Sequence, residues 1–355
     1  MVSMLDCICR VPQILSVVTE NSGGIFSPLY KAYGERAAKA DEIVFIGSGT
    51  SNTASITARY FAEKASGVRV SAIAPSEFLY NLSARNPNAL YVFISQTGTS
   101  ILTNRALDYV KERGFMHGAL SESPDTPLAK NSGVFIDMRC GYEEYPMRTI
   151  GYSATVLTLM LLGAELGEKR GHISGEEKDR MIEDAKKAIS NIRPVIDKAM
   201  AWLDTNRRAM LRCDGLFFYG SGALYGVALE GAVKVWETPQ IISVGYELEE
   251  GIHGPNYGFN HRHCVIVLND GGIENAKAVS LAKYMKLEKN GGFIVGASPV
   301  REDDLAFEPA GGDFCCLEFA AAVQVIAYRL AEEQGRDLFA PHDNSVMDSY
   351  FKSHA

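Results

Sequence analysis

Short runs of β-branched and aromatic residues alternate along this chain with stretches whose apolar residues recur at helical spacing. In the first half, such runs predict strands at residues 41–47, 68–74, 89–100 and 133–138, and residues 151–166 predict a buried helix. Strands that alternate with helices predict a mostly parallel sheet covered by helices on both faces. We therefore expect an α/β protein.

The same order of elements begins again in the second half. Residues 215–237 predict a strand, a tight turn and a helix, and residues 263–272 and 291–297 predict further strands. The Gly-Ser-Gly turn at residues 47–49 is repeated at residues 220–222. The pattern thus predicts two tandem units, each a flavodoxin-like three-layer sandwich.

The repeat also suggests how the chain is divided. A charged helical stretch that contains Pro194 separates the two halves and predicts a helical connection. The expected segments are a helical arm at 1–40, a first domain at 41–167, the connection at 168–211, a second domain at 212–335 and a tail at 336–355.

Charge and cysteine content narrow the class of protein. The chain has 355 residues, with 35 Lys and Arg against 43 Asp and Glu, which gives a net charge of −8. An acidic chain without a basic block disfavours binding to nucleic acid or to an anionic membrane. The seven cysteines include no C-x-x-C pair, which indicates reduced thiols, and the apolar residues 151–166 are too few to span a membrane. We expect a cytoplasmic protein.

Two turns rich in Gly, Ser and Thr follow predicted strands of the first half. They are Gly-Ser-Gly-Thr-Ser at residues 47–51 and Ser-Gln-Thr-Gly-Thr-Ser at residues 95–100, and each precedes a predicted helix. Backbone N–H groups and the positive end of a helix bind anions, and hydroxyls add donors for phosphate oxygens. Neither turn has the spacing of a triphosphate-binding loop or of a dinucleotide fingerprint. The turns predict one sugar-phosphate site, although either alone could be an ordinary strand-to-helix turn.

A lysine and a glutamate three residues apart are candidate acid–base groups. Lys234 and Glu237 share one helix face, and Pro239 predicts that the helix ends just beyond them. The negative end of a helix disfavours a charged carboxylate, which makes Glu237 a better general base, and Lys234 could steady an enolate oxygen. The alternative is an ordinary ion pair between Glu230 and Lys234, with Glu237 solvated.

Histidines provide two further candidates. His253 lies in a glycine-containing loop with acidic neighbours, which is typical either of an exposed loop position or of a protonated catalytic imidazole. His261, His263 and Cys264 carry the atoms of a zinc site, but the alternation of a strand leaves no third ligand on one face. We expect no metal and no other cofactor.

Five motifs together resemble the SIS (sugar isomerase) family with two tandem SIS domains. In chain order they are Gly49-Thr50-Ser51, Ser95-Gln96-Thr97-Gly98, Ala228-Leu229-Glu230-Gly231-Ala232-Val233-Lys234, Glu237 and His253-Gly254-Pro255. The order and spacing of the motifs are specific, and the resemblance covers roughly residues 40–335. It is strongest to the isomerase half of the glutamine–fructose-6-phosphate aminotransferases and to the related fructosamine- and glucoselysine-6-phosphate deglycases.

The resemblance implies roles for particular residues. It implies that Glu237 moves a proton between C1 and C2 of the sugar, that His253 assists ring opening and that Lys234 lies nearby. It also implies a homodimer or higher homo-oligomer with sites at the subunit interface, because the histidine of the aminotransferases reaches in from the neighbouring subunit. The implied phosphate ligands are Thr50, Ser51, Ser95, Gln96, Thr97 and Ser100. Further candidates for substrate binding are Gly49, Glu143, Lys352 and, for an acidic substituent on the substrate, Arg148.

Departures from the family pattern bear on the reaction. Where the aminotransferases have Glu and Lys, this chain has Thr99 and Ile150. We also expect no glutaminase domain. These differences disfavour aminotransfer and are compatible with a deglycase, which splits a ketosamine or glucosylamine 6-phosphate into hexose 6-phosphate and an amine. The alternatives are an aldose–ketose isomerase, an amino-sugar-phosphate deaminase or aminotransferase-like isomerase, and a non-catalytic phosphosugar sensor.

Overall fold

The computed structural model describes residues 2–20, 22–339 and 345–355. The chain forms two compact units that do not follow one another strictly in sequence. The first unit comprises Gln13–Glu143, Ile150–Ile182 and Ala340–Ala355, and the second comprises Met1–Pro12, Glu144–Thr149 and Glu183–Phe339. The domain boundaries drawn from the sequence remain a prediction.

A five-stranded parallel sheet forms the centre of the first unit. Its strands are β1 (Glu42–Gly47), β2 (Arg69–Ile73), β3 (Leu90–Ile94), β4 (Met116–Ser121) and β5 (Phe135–Asp137), in the order β2-β1-β3-β4-β5. Strands β1 and β3 are neighbours, with Gly47 opposite Ile94. The turns that follow these two strands therefore lie at the same edge of the sheet.

Helices pack on both faces of this sheet, as the alternating pattern predicts. The first ten helices of the chain are α1 (Met4–Glu20), α2 (Ser22–Ile25), α3 (Ser27–Tyr33), α4 (Glu35–Ala38), α5 (Thr50–Ser66), α6 (Pro75–Tyr80), α7 (Ile101–Glu112), α8 (Pro127–Ser132), α9 (Ile150–Lys169) and α10 (Gly175–Leu211). Helices α1 and α10 contribute residues to both units, and α10 continues through Pro194. Glycines allow α5 and α9 to approach closely, since a Cβ at Gly163 would lie 2.5 Å from the Cα of Ala62.

The second unit repeats the same architecture. It contains β6 (Gly215–Gly220), α11 (Ala223–Glu237), β7 (Ile242–Glu247), β8 (His263–Asn269), α12 (Asn275–Glu288), β9 (Gly292–Gly296), β10 (Leu305–Ala306) and α13 (Cys316–Glu333), with 3-10 helices at Glu250–Ile252, Pro255–Gly258 and Gly312–Cys315. The sheet is again parallel, in the order β10-β9-β8-β6-β7. Taken from β7 to β10, this is the order of the first sheet, with the second strand of the unit at the edge beside the first. The predicted α/β class with an internal repeat is confirmed. A short helix, α14 (Ser345–Tyr350), belongs to the first unit.

Two helical segments are apolar and long enough to cross a membrane by composition alone. They are Ile150–Lys169 in the first unit and Gly312–Glu333 in the second. Within their most apolar stretches, 100% and 94% of the residues are buried by the rest of the protein. Both segments are therefore core helices of their own units, as the sequence predicts for residues 151–166.

The hydrophobic pattern did not indicate strands β4 and β7. Strand β4 has the sequence Met-His-Gly-Ala-Leu-Ser, in which Gly118 interrupts the apolar run because a Cβ there would lie 2.9 Å from Ile136. Strand β7 lies at the edge of its sheet, and five of its six residues are exposed or half-exposed. An edge strand with little burial lacks the apolar run by which the other strands are recognised.

Candidate functional site

The two hydroxyl-rich turns of the first unit lie together at the carboxyl ends of β1 and β3. Gly49 has a φ of 57°, in the left-handed region that favours glycine, and α5 begins at the next residue. Gly98 also has a positive φ, of 70°, and a Cβ there would lie 2.6 Å from Thr126. The strand order places both turns at one edge of the sheet. Whether the edge binds phosphate remains a prediction.

Hydrogen bonds fix the backbone of the second turn. The hydroxyl of Ser121 donates to the carbonyl oxygens of Ser95 and Gln96, in both cases at 2.9 Å. The hydroxyls of Thr97 and Thr99 lie 2.9 Å apart, and the hydroxyl of Thr103 donates to that of Ser100 at 2.9 Å. Ser121, at the end of unpredicted strand β4, was missed by the sequence analysis because no local motif marks it.

Glu143 fixes Gln96 and the start of α9. Its carboxylate is buried and accepts backbone N–H bonds from Ile150 and Gly151, each at 3.0 Å, and a bond from the Gln96 amide at 3.3 Å. A carboxylate at a helix N-terminus satisfies free amides and interacts favourably with the helix dipole. The structure thus gives Glu143 a positioning role. A direct contact between Glu143 and a sugar remains a prediction.

The last residues of the chain pair with the second turn. The amide of Ile101, the first residue of α7, donates to the carbonyl of Ser353 at 3.1 Å, and the amide of Ala355 donates to that of Thr99 at 3.0 Å. Ser100 and His354 thereby form an isolated antiparallel bridge. This backbone pairing carries no sequence signature. Lys352, which was predicted as a substrate contact, is exposed immediately before the paired residues.

A buried lysine between two glutamates occupies one face of α11 in the second unit. The ammonium of Lys234 lies 3.2 Å from the Glu230 carboxylate and 2.7 Å from the Glu237 carboxylate. The side chains of Lys234 and Glu230 are fully buried, whereas that of Glu237 is 34% exposed. Both the functional pairing of Lys234 with Glu237 and the alternative pairing with Glu230 are therefore present. Only the Glu237 carboxylate reaches the surface of the unit.

The two carboxylates keep Lys234 charged. Burial alone lowers the pKa of a lysine, but the charges and hydrogen bonds of Glu230 and Glu237 outweigh burial and raise the pKa of Lys234 above its usual value. Glu237 is the last residue of α11, where the sequence analysis expected the helix end to disfavour its charge. The adjacent ammonium opposes that effect. The complete burial of Lys234 could not be predicted from the local sequence.

A short segment of the second unit lies near Glu237. Tyr145 is buried, and its hydroxyl donates to the carbonyl of Leu338 at 3.0 Å. Burial is the main cause that raises the pKa of Tyr145, and the nearby Cys7 thiol and Glu237 carboxylate raise it further. The guanidinium of Arg148 donates to the carbonyl of Tyr145 at 3.3 Å. Arg148 and Glu237 thus belong to the same unit.

His253 lies in an exposed loop of the second unit, just after a 3-10 helix. Its side chain is 64% exposed, and its Nδ1 lies 2.9 Å from the carbonyl oxygen of Glu249. The Glu249 carboxylate pairs with Lys277, which lowers the pKa of that carboxyl. In the described part of the chain, His253 forms no hydrogen bond or ion pair with Glu237. The structure therefore brings together Lys234 and Glu237 but not His253.

The histidines at the start of β8 make separate contacts. His261 lies 3.3 Å from the carbonyl of Lys289, and His263 lies 3.1 Å from the side-chain amide of Asn260. Across residues 2–20, 22–339 and 345–355, no group of three or more His, Cys, Asp or Glu side chains is arranged to hold a metal ion.

The repeated sheets define a doubled parallel α/β protein with two hydroxyl-rich turns at one edge of its first sheet. Residues 37–165 match the family model of the SIS domain. This stretch, almost all of which lies in the first unit, is similar to a SIS domain.

Two curated relatives are similar to most of the chain. It is 27% identical over 314 residues to a glutamine–fructose-6-phosphate aminotransferase of Gloeobacter violaceus, and 28% identical over 320 residues to the corresponding enzyme of Haemophilus influenzae. Each match covers 86% of this chain and 51% of the relative. The chain thus spans about half the length of the curated relatives it matches.

Solved structures share the whole fold. The chain is similar to a crystal structure from Clostridium difficile 630, provisionally assigned as a phosphosugar isomerase, with a TM-score of 0.88, 22% identity and complete coverage of both chains. It is also similar to the C-terminal domain of glucosamine-fructose-6-phosphate aminotransferase from Francisella tularensis, with a TM-score of 0.84 and 22% identity over 95% of this chain and 97% of that one. At these identities the likeness concerns the fold, and it confirms the predicted architecture of two tandem α/β units.

Proposed function

We propose that this protein is a cytoplasmic, homodimeric deglycase that splits a ketosamine or glucosylamine 6-phosphate into a hexose 6-phosphate and an amine. The observation that carries the proposal is the carboxylate of Glu237, which reaches the surface while a fully buried ammonium lies 2.7 Å behind it. A carboxylate that is held in place by an ammonium and open on its other side is positioned to accept a proton from carbon. The similarity of residues 37–165 to a SIS (sugar isomerase) domain supports a phosphorylated sugar as the substrate.

Glu237 is the proposed base for proton transfer between C1 and C2. For a ketosamine, it removes a proton from C1, which gives an enaminol, and after exchange with solvent it delivers a proton to C2, which gives an imine at C1. Water then adds to the imine carbon, and cleavage of the carbon–nitrogen bond releases the amine and the hexose 6-phosphate. The sum is one ketosamine phosphate and one water to one amine and one hexose phosphate, so no oxidant or cofactor is needed.

Lys234 acts through Glu237 in this proposal. Its side chain is fully buried, so an enolate oxygen does not reach it, and its ammonium instead orients the Glu237 carboxylate. The sequence analysis also considered a direct contact between Lys234 and an enolate, and the burial of Lys234 disfavours it. We assign Lys234 as a positioning residue and His253 as the candidate for opening the sugar ring.

The phosphate is the proposed ligand of the hydroxyl-rich turns in the first unit. The hydroxyls of Ser51, Ser95, Thr97 and Ser100 and the amide of Gln96 supply donors there, and Glu143 holds the Gln96 side chain in place. Arg148 is the proposed contact for an acidic group carried by the amine. The replacement of the aminotransferases' Glu by Thr99 and of their Lys by Ile150 favours deglycation over aminotransfer.

The proposal is tested by incubating the protein with fructosamine-type and glucosylamine-type 6-phosphates and following hexose 6-phosphate with a coupled dehydrogenase. Fructose 6-phosphate, with and without ammonia, is assayed in parallel. Release from the conjugates alone supports a deglycase. Turnover of simple sugar phosphates alone contradicts it in favour of an isomerase or deaminase, and thermal stabilisation by phosphosugars without any turnover contradicts it in favour of a sensor.

Matched variants assign the base in the same assay. Glu237→Gln is expected to lower turnover by about 10²–10⁴-fold, the typical contribution of a general base, while phosphosugar binding persists. Glu288→Gln changes an exposed glutamate of α12 in the same unit and is expected to retain full activity.

A further inference from the structure

A cavity of about 440 Å³ opens in the first unit, away from the turns described above. It is enclosed by β1, β2, β3, α6 and the segment that follows α6. Helix α6 has only six residues, about 9 Å of helix, and five residues of strand extend about 16 Å. The helix is therefore too short to cover this face of the sheet along its whole length, and the cavity is the uncovered part.

The register of the strands places opposite charges side by side at the cavity. Glu42 of β1 lies opposite Arg69 of β2, and Val44 lies opposite Ser71. Side chains of parallel strands in register point to the same face, and alternate residues share a face. Glu42, Arg69 and Ser71 accordingly line the same cavity.

The cavity runs along β2 as far as Ile73, and its charged end lies at the opposite end of the sheet from the candidate phosphate site. Glu42 and Arg69 are the first residues of their strands, whereas the turn at residues 47–51 follows the last residue of β1. Five residues of strand separate the two ends by about 16 Å. A ligand of this cavity is therefore distinct from the sugar phosphate.

The charged groups of the cavity have no charged partners within the described residues. Although Glu42 and Arg69 are direct neighbours, they form no ion pair with each other or with any other described side chain, and Glu42 accepts only the hydroxyl of Ser71, at 3.1 Å. Arg85 forms no ion pair there either. Its Nη2 donates to the carbonyls of Phe78 and Leu79 at 2.5 and 3.1 Å, and its Nε is buried without a hydrogen-bond partner.

Apart from Asn86, the remaining wall of the cavity is formed by apolar and aromatic side chains. Ile73, Phe78 and Leu82 line it, and the volume lies within the range of about 300–1,000 Å³ typical of small-molecule sites. An apolar cavity with a few convergent polar groups is the usual form of such a site. The guanidinium of Arg85 lies over the rings of Phe78 and Tyr109, at 5.2 and 4.4 Å from their centroids, which holds this cation in place.

We propose that this cavity binds an α-amino acid with a large apolar side chain. Its carboxylate pairs with the guanidinium groups of Arg69 and Arg85, its ammonium pairs with Glu42, and its side chain packs on the apolar wall. A ligand with a single charge leaves one of the opposite charges without a partner. The proposal does not depend on the reaction assigned above.

Isothermal titration calorimetry of the full chain with L-phenylalanine and L-leucine tests the proposal. Phenylalanine is expected to bind at least about tenfold more tightly than 3-phenylpropionate or 2-phenylethylamine, because each analogue lacks one charge-assisted contact. Equal binding of the three compounds, or no binding of either amino acid at concentrations up to about 10 mM, overturns the proposal.

Variants locate any binding that is observed. Arg69→Gln and Glu42→Gln are each expected to weaken phenylalanine binding about tenfold, and Arg105→Gln, an exposed arginine of α7, is the matched control. Ala84→Trp narrows the cavity from an exposed position and is expected to abolish binding without a change of charge. Unchanged affinity in Ala84→Trp, with a native circular dichroism spectrum, overturns the proposal even where a charge variant fails to fold.

Discussion

Removal of the buried Lys234 ammonium tests the electrostatics of α11 most sharply. In Lys234→Met, the fully buried carboxylate of Glu230 loses the cation 3.2 Å away. Breaking a buried ion pair by removing one partner costs about 3–5 kcal/mol of unfolding free energy, because the other charge remains desolvated. We expect a loss of that size. Glu237 contributes less to the loss, because its side chain is 34% exposed and retains water.

The double variant Glu230→Leu/Lys234→Met distinguishes this explanation from lost packing. Replacement of a whole buried pair by apolar groups of similar volume is often neutral or stabilising by about 1–4 kcal/mol. The double variant is therefore expected to regain most of the stability lost in the single variant. Urea denaturation of the wild type, both single variants and the double variant gives the coupling energy directly.

The pH dependence of the same experiment follows from the raised pKa of Lys234. A group whose pKa is higher in the folded state stabilises the fold fully below its unfolded pKa, about 10.4 for lysine, and loses that effect as the pH rises through the folded value. Between about pH 6 and pH 9 the contribution of Lys234 to the stability of the wild type is thus expected to be constant. A loss below about 1 kcal/mol, or a double variant as unstable as the single one, would refute the reasoning.

Three further predictions concern the first turn region and the core. Gly151→Ala is expected to weaken phosphosugar binding about tenfold in calorimetry, because the added Cβ would lie 1.7 Å from Oε1 of Gln96. The control is Gly23→Ala, where the added Cβ meets nothing within 4 Å, and this variant should bind the phosphosugar normally. Deletion of residues 353–355 should accelerate hydrogen exchange of the first amide of α7, which donates to that segment, and an unchanged rate would show that the pairing does not persist in solution. Burial raises the pKa of Glu318 to about 7, above its unfolded value, so the wild type should lose stability as the pH rises from about 4.5 to 7. Glu318→Gln should show a weaker decline of stability over this range. Identical pH profiles of stability for the two proteins would contradict this assignment.

The fold was predictable for elements whose burial produces a recognisable apolar pattern in the local sequence. Strand β3 is buried along its whole length and reads as a continuous apolar run, and α9 is buried on all sides. Strand β7 has one unpaired edge and mostly half-exposed residues, so its sequence carries no such run. The repeat of Gly-Ser-Gly turns was predictable because both turns need a glycine at positive φ. These glycines are Gly49 and Gly222.

The candidate site was predictable in its residue types but not in its contacts. Helical spacing placed Lys234 and Glu237 on one face, but the complete burial of Lys234 arises from the packing of α11 in the second unit. The buried carboxylate of Glu143 serves a helix that begins seven residues later, and Ser121 fixes a turn from another strand. These contacts depend on tertiary structure, which local periodicity does not encode.

The central claim is that Glu237 transfers a proton between C1 and C2, and isotope incorporation tests it most directly. In deuterium oxide, the wild type acting on a fructosamine 6-phosphate is expected to release hexose 6-phosphate that carries deuterium at C2, which nuclear magnetic resonance detects. Glu237→Gln is expected to bind the same substrate and to release labelled product at least about 10²-fold more slowly. Wild-type rates of labelling in Glu237→Gln, with native folding, would contradict the account.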